Sequence, residues 1–398
     1  MKGLYKVLPP FAPDYSGVCS VLFELGGIVV IHDAGGCTGN FTGFDEPRWY
    51  GSTSAVFSSG LREIDTVIGD DEKVLKKLED AVCSLERQFV AIVGTPTTMV
   101  IGTDYAALSH ILTQRTGIPA LMFDTTGMNY YDYGASLAFL EIARRFVKSG
   151  PTIVEAGINI IGATPLDMGN GRQVKKLTSL LADSGFKVIS CWSMGSNLDE
   201  IACSAQARLN IVVSRSGLEA ARYMEREYGV PYFAGIPIGR KSTLKFISTI
   251  HSMLGLAFES DTQQVSNDPV AGIRNVLVIG EQVMCNAIRD CLRIDLKIAK
   301  VTVGSFFGMD QALMEKGDLH FECEDDLTDL TIENHFDVIV ADPLYYDLSV
   351  SAKKSYFITF PHLAVSSRLH WDSSLDYIGD DGSNYFSRKL KEIKDENQ

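Results

Sequence analysis

An α/β protein of three domains with mostly parallel sheets is predicted by three features of this 398-residue chain. Strand-like apolar runs alternate with helix-like segments throughout, a pattern that favours parallel sheets wrapped by helices. Three of those runs end in glycine turns of one kind: Ile92-Val93-Gly94-Thr95-Pro96, Ile160-Ile161-Gly162-Ala163-Thr164-Pro165 and Val278-Ile279-Gly280-Glu281-Gln282. Two breaks divide the chain, at Gly150-Pro151 and across the polar stretch 259–269, which ends in proline. The expectation is three Rossmann-like domains, over residues 1–150, 151–268 and 269–398, around a central cleft. Ligands of such folds sit beyond the carboxyl ends of the strands.

The first block carries strands over 28–32, 89–94 and 120–124, with helices over 72–88, 103–115 and 133–148. The helix 72–88 presents Val74, Leu75, Leu78, Ala81, Val82 and Leu85 as one stripe; Cys83 points away from it, to solvent or a neighbour. In the second block, strands fall at 157–161, 187–190, 210–213 and 231–233, and helices at 171–183, 198–203, 217–228 and 242–258. The third opens on the buried-strand pattern 275–280 and a helix. Strands at 297–303, 336–341 and 356–360 and a last helix at 383–394 complete it.

A hydrophobic content of 45% with 22% charged residues excludes a disordered chain. Eight scattered cysteines do not make a secreted disulfide framework. The opening Met1-Lys2-Gly3-Leu4-Tyr5-Lys6 lacks a long apolar core, so no signal peptide is expected, and no apolar run is long enough for a membrane span. A cytoplasmic setting follows as the expectation, with reduced thiols free to hold metal. A net charge of −14 with dispersed basic residues disfavours nucleic acid as a partner.

Cys19 precedes the first apolar strand, and Cys37 lies in the turn Asp33-Ala34-Gly35-Gly36-Cys37-Thr38-Gly39-Asn40 that closes it. Small residues around a thiol leave bare backbone, which a bulky inorganic cluster or a second chain can approach; two ordinary buried cysteines are the plainer alternative. His32 and Asp33 share that strand mouth, either as proton donors beside a redox centre or, for Asp33, as a cap on the following turn. Arg48 either anchors a substrate carboxylate or pairs with Glu46. The loops after Gly94 and Gly162 contain neither GxGxxG nor a P-loop, so they are read as tight turns, and ATP hydrolysis by this chain is not expected. Cys285 and Cys291, six apart on one predicted helix, fall on different faces and make no joint metal site. Cys323 is read as structural or exposed, and His320 and His335 are isolated.

Four stretches, in order, resemble the component 1 (MoFe-protein) family of nitrogenase and nitrogenase-like reductases. His32-Asp33-Ala34-Gly35-Gly36-Cys37 is similar to an element that supplies an iron–sulfur ligand. Gly94-Thr95-Pro96-Thr97-Thr98-Met99-Val100-Ile101-Gly102-Thr103-Asp104 is similar to a Cys-Pro loop of the family. Asn159–Pro165 with Leu209-Asn210-Ile211-Val212 and Tyr223–Pro231 resembles the second domain, and Asp376-Tyr377-Ile378-Gly379-Asp380-Asp381-Gly382 the turn before the last helix.

The resemblance implies an oxidoreductase that holds an iron–sulfur cluster at a subunit interface. Cys19 and Cys37 fall where two of the family's three cluster cysteines belong. The third position is Thr95, whose hydroxyl is a poor iron ligand, with Cys83 as the other candidate. Two thiolates from each of two chains would hold one 4Fe–4S cluster, in a homodimer or in a heterodimer with a related subunit. The strand end Val212-Val213-Ser214-Arg215-Ser216-Gly217 has no thiol where nitrogenase caps its iron–molybdenum cofactor; Cys191 and Cys203 are elsewhere. Dinitrogen reduction is therefore not expected. Shorter members reduce tetrapyrroles, among them the nickel precursor of coenzyme F430, and this chain is similar to the latter in length. The implied electron donor is a separate ATP-hydrolysing iron–sulfur protein of the nitrogenase reductase type, and the substrate a small molecule, a tetrapyrrole by preference. His370, in Leu369-His370-Trp371-Asp372, with His362 upstream, falls in a region the family brings to its substrate, which makes it a candidate proton donor or axial ligand. Two further readings stand beside this one: a scaffold on which a metallocluster is assembled, and a non-redox module that binds a metal chelate.

Overall fold

The computed structural model describes residues 5–69, 71–150, 152–258, 272–349 and 355–395; Pro151 and the polar stretch 259–269 lie outside them. Among the described residues thirteen strands form three separate sheets, and every strand pairing is parallel. The first contains β1 (Ile28–Ile31), β2 (Ala55–Ser58), β3 (Val90–Val93) and β4 (Ala120–Phe123), in the order β2-β1-β3-β4. The second repeats that order as β6-β5-β7-β8, with β5 (Gly157–Ile161), β6 (Lys187–Cys191), β7 (Leu209–Val212) and β8 (Tyr232–Ala234). The third runs β11-β10-β9-β12-β13, with β9 (Asn275–Ile279), β10 (Lys300–Ser305), β11 (Leu319–His320), β12 (Val338–Ala341) and β13 (Tyr356–Thr359). Helices cover the sheets, so central strands such as β1, β3 and β12 are buried at every residue, as their unbroken apolar runs require. The strand order reverses between β1 and β3, β5 and β7, and β9 and β12, the crevices where such folds bind ligands.

Several elements escape the sequence pattern, among them the helices Glu63–Ile68, Pro96–Ile101 and Glu324–Glu333, and three show why. β2 and β11 are edge strands of four and two residues, and Phe57 of β2 is exposed, so neither shows a buried run. The helix Asp14–Leu22 is buried at every residue and shows no amphipathic stripe. It lies against the helix Tyr131–Phe146 with backbones in contact: a Cβ on Gly17 would stand 1.9 Å from the Tyr131 carbonyl oxygen, and one on Gly134 would stand 1.9 Å from that of Asp14. Only glycine at both positions permits this approach.

The chain ends tie the domains together. The Glu324 carboxylate accepts the backbone N–H groups of Lys6 (2.8 Å), Val7 (3.0 Å) and Leu8 (2.7 Å), and Ala12 donates to the Ala364 carbonyl at 2.8 Å. Phe11 packs among Tyr130, Phe306, Phe307 and Tyr345. The last helix, Asp380–Asp395, returns to the second sheet's helices through Lys176–Asp381 and Arg240–Asp380 ion pairs of 2.6 and 2.5 Å. A cavity of about 700 Å³ lies at the seam between the first and third domains and a shallower one of about 930 Å³ beside the last helix, whereas the second and third domains meet at a void of only about 20 Å³.

Candidate functional site

Cys19 and Cys37 share one acidic neighbourhood near the carboxyl end of β1, within electrostatic reach of Asp33 and of each other. Cys19 sits on the buried helix Asp14–Leu22 and is fully buried, while Cys37 occupies the first turn of the short helix Gly36–Asn40 and is half exposed. Tyr15, one turn before Cys19, brings its hydroxyl near the Cys37 thiol. Around Cys37 the backbone is bare: a Cβ added at Gly35, Gly36, Gly39 or Gly43 would meet nothing within 4 Å among the described residues.

Burial pushes the Cys19 thiol well up from its usual range, and Glu46, Asp33, Asp45 and Cys37 push it in the same direction. Cys37 is raised too, first by burial, against the lowering contact of Tyr15. Thiols in an acidic, poorly solvated pocket ionise readily only against a cation, and iron would supply one. The donor set and the open glycine turn thus fit an iron–sulfur cluster, but one chain offers two thiols. Among the described residues no group of three or more His, Cys, Asp or Glu side chains is placed to hold a metal ion within a single chain.

Thr95, buried at the end of β3, donates its hydroxyl to the His32 carbonyl at 2.8 Å and caps the helix Pro96–Ile101. His32 is buried with Nδ1 2.8 Å from the Ser59 hydroxyl, and burial lowers its pKa to about 4, so the ring is uncharged near neutral pH. Asp33 accepts from the Thr38 N–H (2.9 Å), the Thr38 hydroxyl (3.0 Å) and the Ser58 hydroxyl (2.6 Å), which fastens the Cys37 turn to β2. Cys83 is exposed near the end of the helix Asp71–Ser84. Arg48 forks onto Glu46 at 2.7 Å from both Nε and Nη2, and also donates to the carbonyls of Ser20 and Ser193, joining the Cys19 helix to the second domain. The pair is buried, the Arg48 side chain being 10% exposed and that of Glu46 0%.

A cavity of about 700 Å³ opens beside Cys37, walled by Pro9–Pro13, Phe44, Leu344 and Leu369. Tyr15, Asn40 and Asp45 form its inner edge, so the cavity and the thiol pair share Tyr15. Asp45 accepts from Ser16 (2.6 Å) and Asn40 (2.8 Å), and burial raises its pKa to about 6. Nothing in the residue pattern points to Asp45; Tyr15 stands one helical turn from Cys19 and is readable only through the helix that places it. Arg368, on the turn Ser367–His370, lines the outer edge and lies over the Trp371 ring. His370 ends that turn but is not among the lining residues. The Ser367 hydroxyl donates to the Phe44 carbonyl at 2.5 Å and closes the cavity wall.

Residues 14–343 match the family model described as nitrogenase component 1 type oxidoreductase. A subunit of the light-independent protochlorophyllide reductase of Roseobacter denitrificans is 29% identical over 196 residues, 48% of this chain and 37% of that protein. The nitrogenase iron-molybdenum cofactor biosynthesis protein NifE of Rhodobacter capsulatus is 26% identical over 234 residues, 56% of this chain and 48% of its own length. The chain thus spans less than half the length of these curated relatives. The solved structure described as nitrogenase Cp1 at pH 6.5 superposes with a TM-score of 0.74 at 14% identity, over 100% of this chain and 94% of the other. That likeness is one of fold. No helix among the described residues is long and apolar enough to cross a membrane.

Proposed function

The chain belongs to the nitrogenase component 1 type oxidoreductases, and on that premise we propose that it passes single electrons, through an iron–sulfur cluster shared with a second chain, to a small molecule. The observation that carries this reading is the pairing of Cys19 and Cys37 in one acidic pocket under an open glycine turn. Cys19 and Cys37 of each chain would hold the cluster, and two chains would complete the four thiolates of a 4Fe–4S centre. A bound cluster supplies one-electron transfer; the protein contributes position and protons. Exposed Phe44, Met99, Val100 and Met128, on the segments after Asn40, Thr95 and Gly127, give the second chain an apolar surface to cover.

The substrate would occupy the 700 Å³ cavity, within the range of pockets that enclose a ligand of several hundred daltons. Its proline and aromatic walls suit a flat apolar body such as a tetrapyrrole, with Arg368 placed for a peripheral carboxylate. Asp45, with a pKa near 6, is the group best placed to deliver protons there, since general acids work best near the ambient pH. The electron donor would be an ATP-dependent iron–sulfur reductase. A docking surface for it is the helix Glu63–Ile68, where Ile64, Val67 and Ile68 are 58%, 78% and 67% exposed. That helix follows a segment held to Asp33 by Ser58 and by the Leu61 N–H, so it stands close to the Cys37 turn.

The likeness to a cofactor biosynthesis protein favours a second reading, a scaffold that holds a metallocluster without turning over an organic substrate. Protein purified without air decides between them. Four irons and four sulfides per two chains, with an EPR signal on dithionite reduction, are expected under both. Substrate reduction on adding a reductase, ATP and a candidate tetrapyrrole marks the first alone. Iron content unchanged in Cys37→Ala would sink both.

A further inference from the structure

The outer wall of the cavity beside Cys37 is a single turn with an unusual backbone. The helix Leu363–Ser366 before it is buried along its length and is tied to the first domain where Ala12 donates to the Ala364 carbonyl at 2.8 Å. Ser367 follows at φ +50° and ψ −134°, the mirror image of extended backbone, which is open to glycine and entered by other residues only under constraint. Residues 367–370 then form the turn, from which Arg368 and Leu369 line the cavity. The chain is fixed again at Leu375, whose carbonyl accepts from Gln173 at 2.8 Å.

Between those anchors the turn is held lightly. Among the described residues, the 2.5 Å bond from the Ser367 hydroxyl to the Phe44 carbonyl is the one hydrogen bond that ties 367–371 to a distant segment. Leu369 is 71% exposed. Arg368 lies 5.5 Å over the Trp371 ring, and Tyr50 meets the same ring edge-on at 6.4 Å. Trp371 Nε1 is buried with no hydrogen-bond partner among the described residues. An orphaned indole N–H and a serine held in glycine's conformation both cost free energy. Both costs belong to the position of this turn, and one hydroxyl keeps it there.

We propose that residues 367–371 are a sprung lid on the cavity, hinged at Ser367 and caught on Phe44, that admits a planar ligand bearing a carboxylate and closes on it through Arg368. The inference rests on the reading of this cavity as the substrate site. Hinges are a few residues at the ends of rigid elements that absorb a large change of φ and ψ. Ser367 stands at such an end. Loss of the Phe44 bond lets it return to negative φ, which swings Arg368 and Leu369 off the cavity and brings the Trp371 N–H to water. With ligand inside, a carboxylate on Arg368 adds an ion pair that only the closed turn makes, so binding draws the lid shut.

Native-state proteolysis of the whole protein tests the hinge, since trypsin cleaves after Arg368 only when the turn opens. Ser367→Ala keeps the strain and removes the catch, so cleavage there should run at least about fivefold faster than in the wild type. Ser367→Gly removes strain and catch together and should fall between the two. Cleavage after Arg226, exposed on the second domain, should be unchanged in both. Equal rates at Arg368 in wild type and Ser367→Ala overturn the lid, as does a Ser367→Gly rate equal to or above that of Ser367→Ala. Protoporphyrin IX, a planar dicarboxylate, should slow the wild-type cleavage at least about threefold, and its dimethyl ester should not. No effect of the porphyrin, or an equal effect of the ester, overturns the carboxylate's role and counts against the substrate reading. The hinge comparison, made without ligand, iron or reductase, is decided on its own.

Discussion

Thr95 and His32 are joined by a hydrogen bond of 2.8 Å from hydroxyl to backbone carbonyl, which locks the ends of β3 and β1 side by side beneath the Cys37 turn. The Thr95 N–H in turn meets the Thr98 hydroxyl at 2.9 Å. Where the family resemblance leads one to look for a third cysteine, this chain has a helix cap.

Restoring a thiol there should therefore add no iron. Thr95→Cys is expected to keep about four irons per two chains, and Thr95→Ala to lose about 1 kcal/mol of stability with its cap. Iron analysis and urea titration read the two effects. A rise in iron content in the cysteine variant would show that position 95 faces the cluster.

Gly134→Ala should displace the helix that carries Cys19. The new methyl meets the Asp14 carbonyl at 1.9 Å, and backbone cannot swing aside as a side chain can. A loss of about 1–3 kcal/mol is expected, as for overpacking elsewhere, together with weakened iron incorporation under anaerobic reconstitution. Unchanged stability and unchanged iron would mean that the helix pair is not held by backbone contact.

Val67→Glu should leave iron content and dithionite reduction intact while abolishing electron uptake from an ATP-dependent reductase. Val67 is 78% exposed, so a carboxylate there costs the folded chain little, yet buried against a partner it would be an unpaired charge. Reductase-driven turnover at the wild-type rate would place the docking surface elsewhere.

Acid should weaken the first domain through His32. Its pKa falls from 6.5 to about 4 on folding, so the stabilisation of the neutral ring is complete above pH 6.5 and is lost as pH drops through 4. The shift corresponds to about 3 kcal/mol. Thermal unfolding of wild type and His32→Asn across pH 4 to 7 checks this: the gap between them should narrow on the acid side. A constant gap would refute the buried neutral ring.

Much of the architecture was legible in the residues because central parallel strands are covered on both faces. Val90–Val93 and Val338–Ala341 can be nothing but apolar, and they announce themselves. The helix Asp14–Leu22 could not be read by the same logic, since with every residue buried no face is polar and no period appears. That omission hid Tyr15, whose link to Cys37 depends on helical spacing from Cys19. Asp45 was hidden for another reason: its raised pKa comes from burial by neighbours distant in sequence, and nothing in Gly43-Phe44-Asp45-Glu46 signals it. Asp33 was legible only as a pair of roles, and the structure surrounds it with the donors of a turn cap.

The clasp of Lys6, Val7 and Leu8 on Glu324 has a kinetic meaning. Segments more than 300 residues apart must meet before it closes, and such distant contacts form late because the intervening loop entropy must first be overcome. A ribosome making this chain would release the first sheet long before Glu324 emerges, leaving Phe11 without its aromatic cage for the interval. Residues 6–11 leave the ribosome well before their partners and are among the last to find their place.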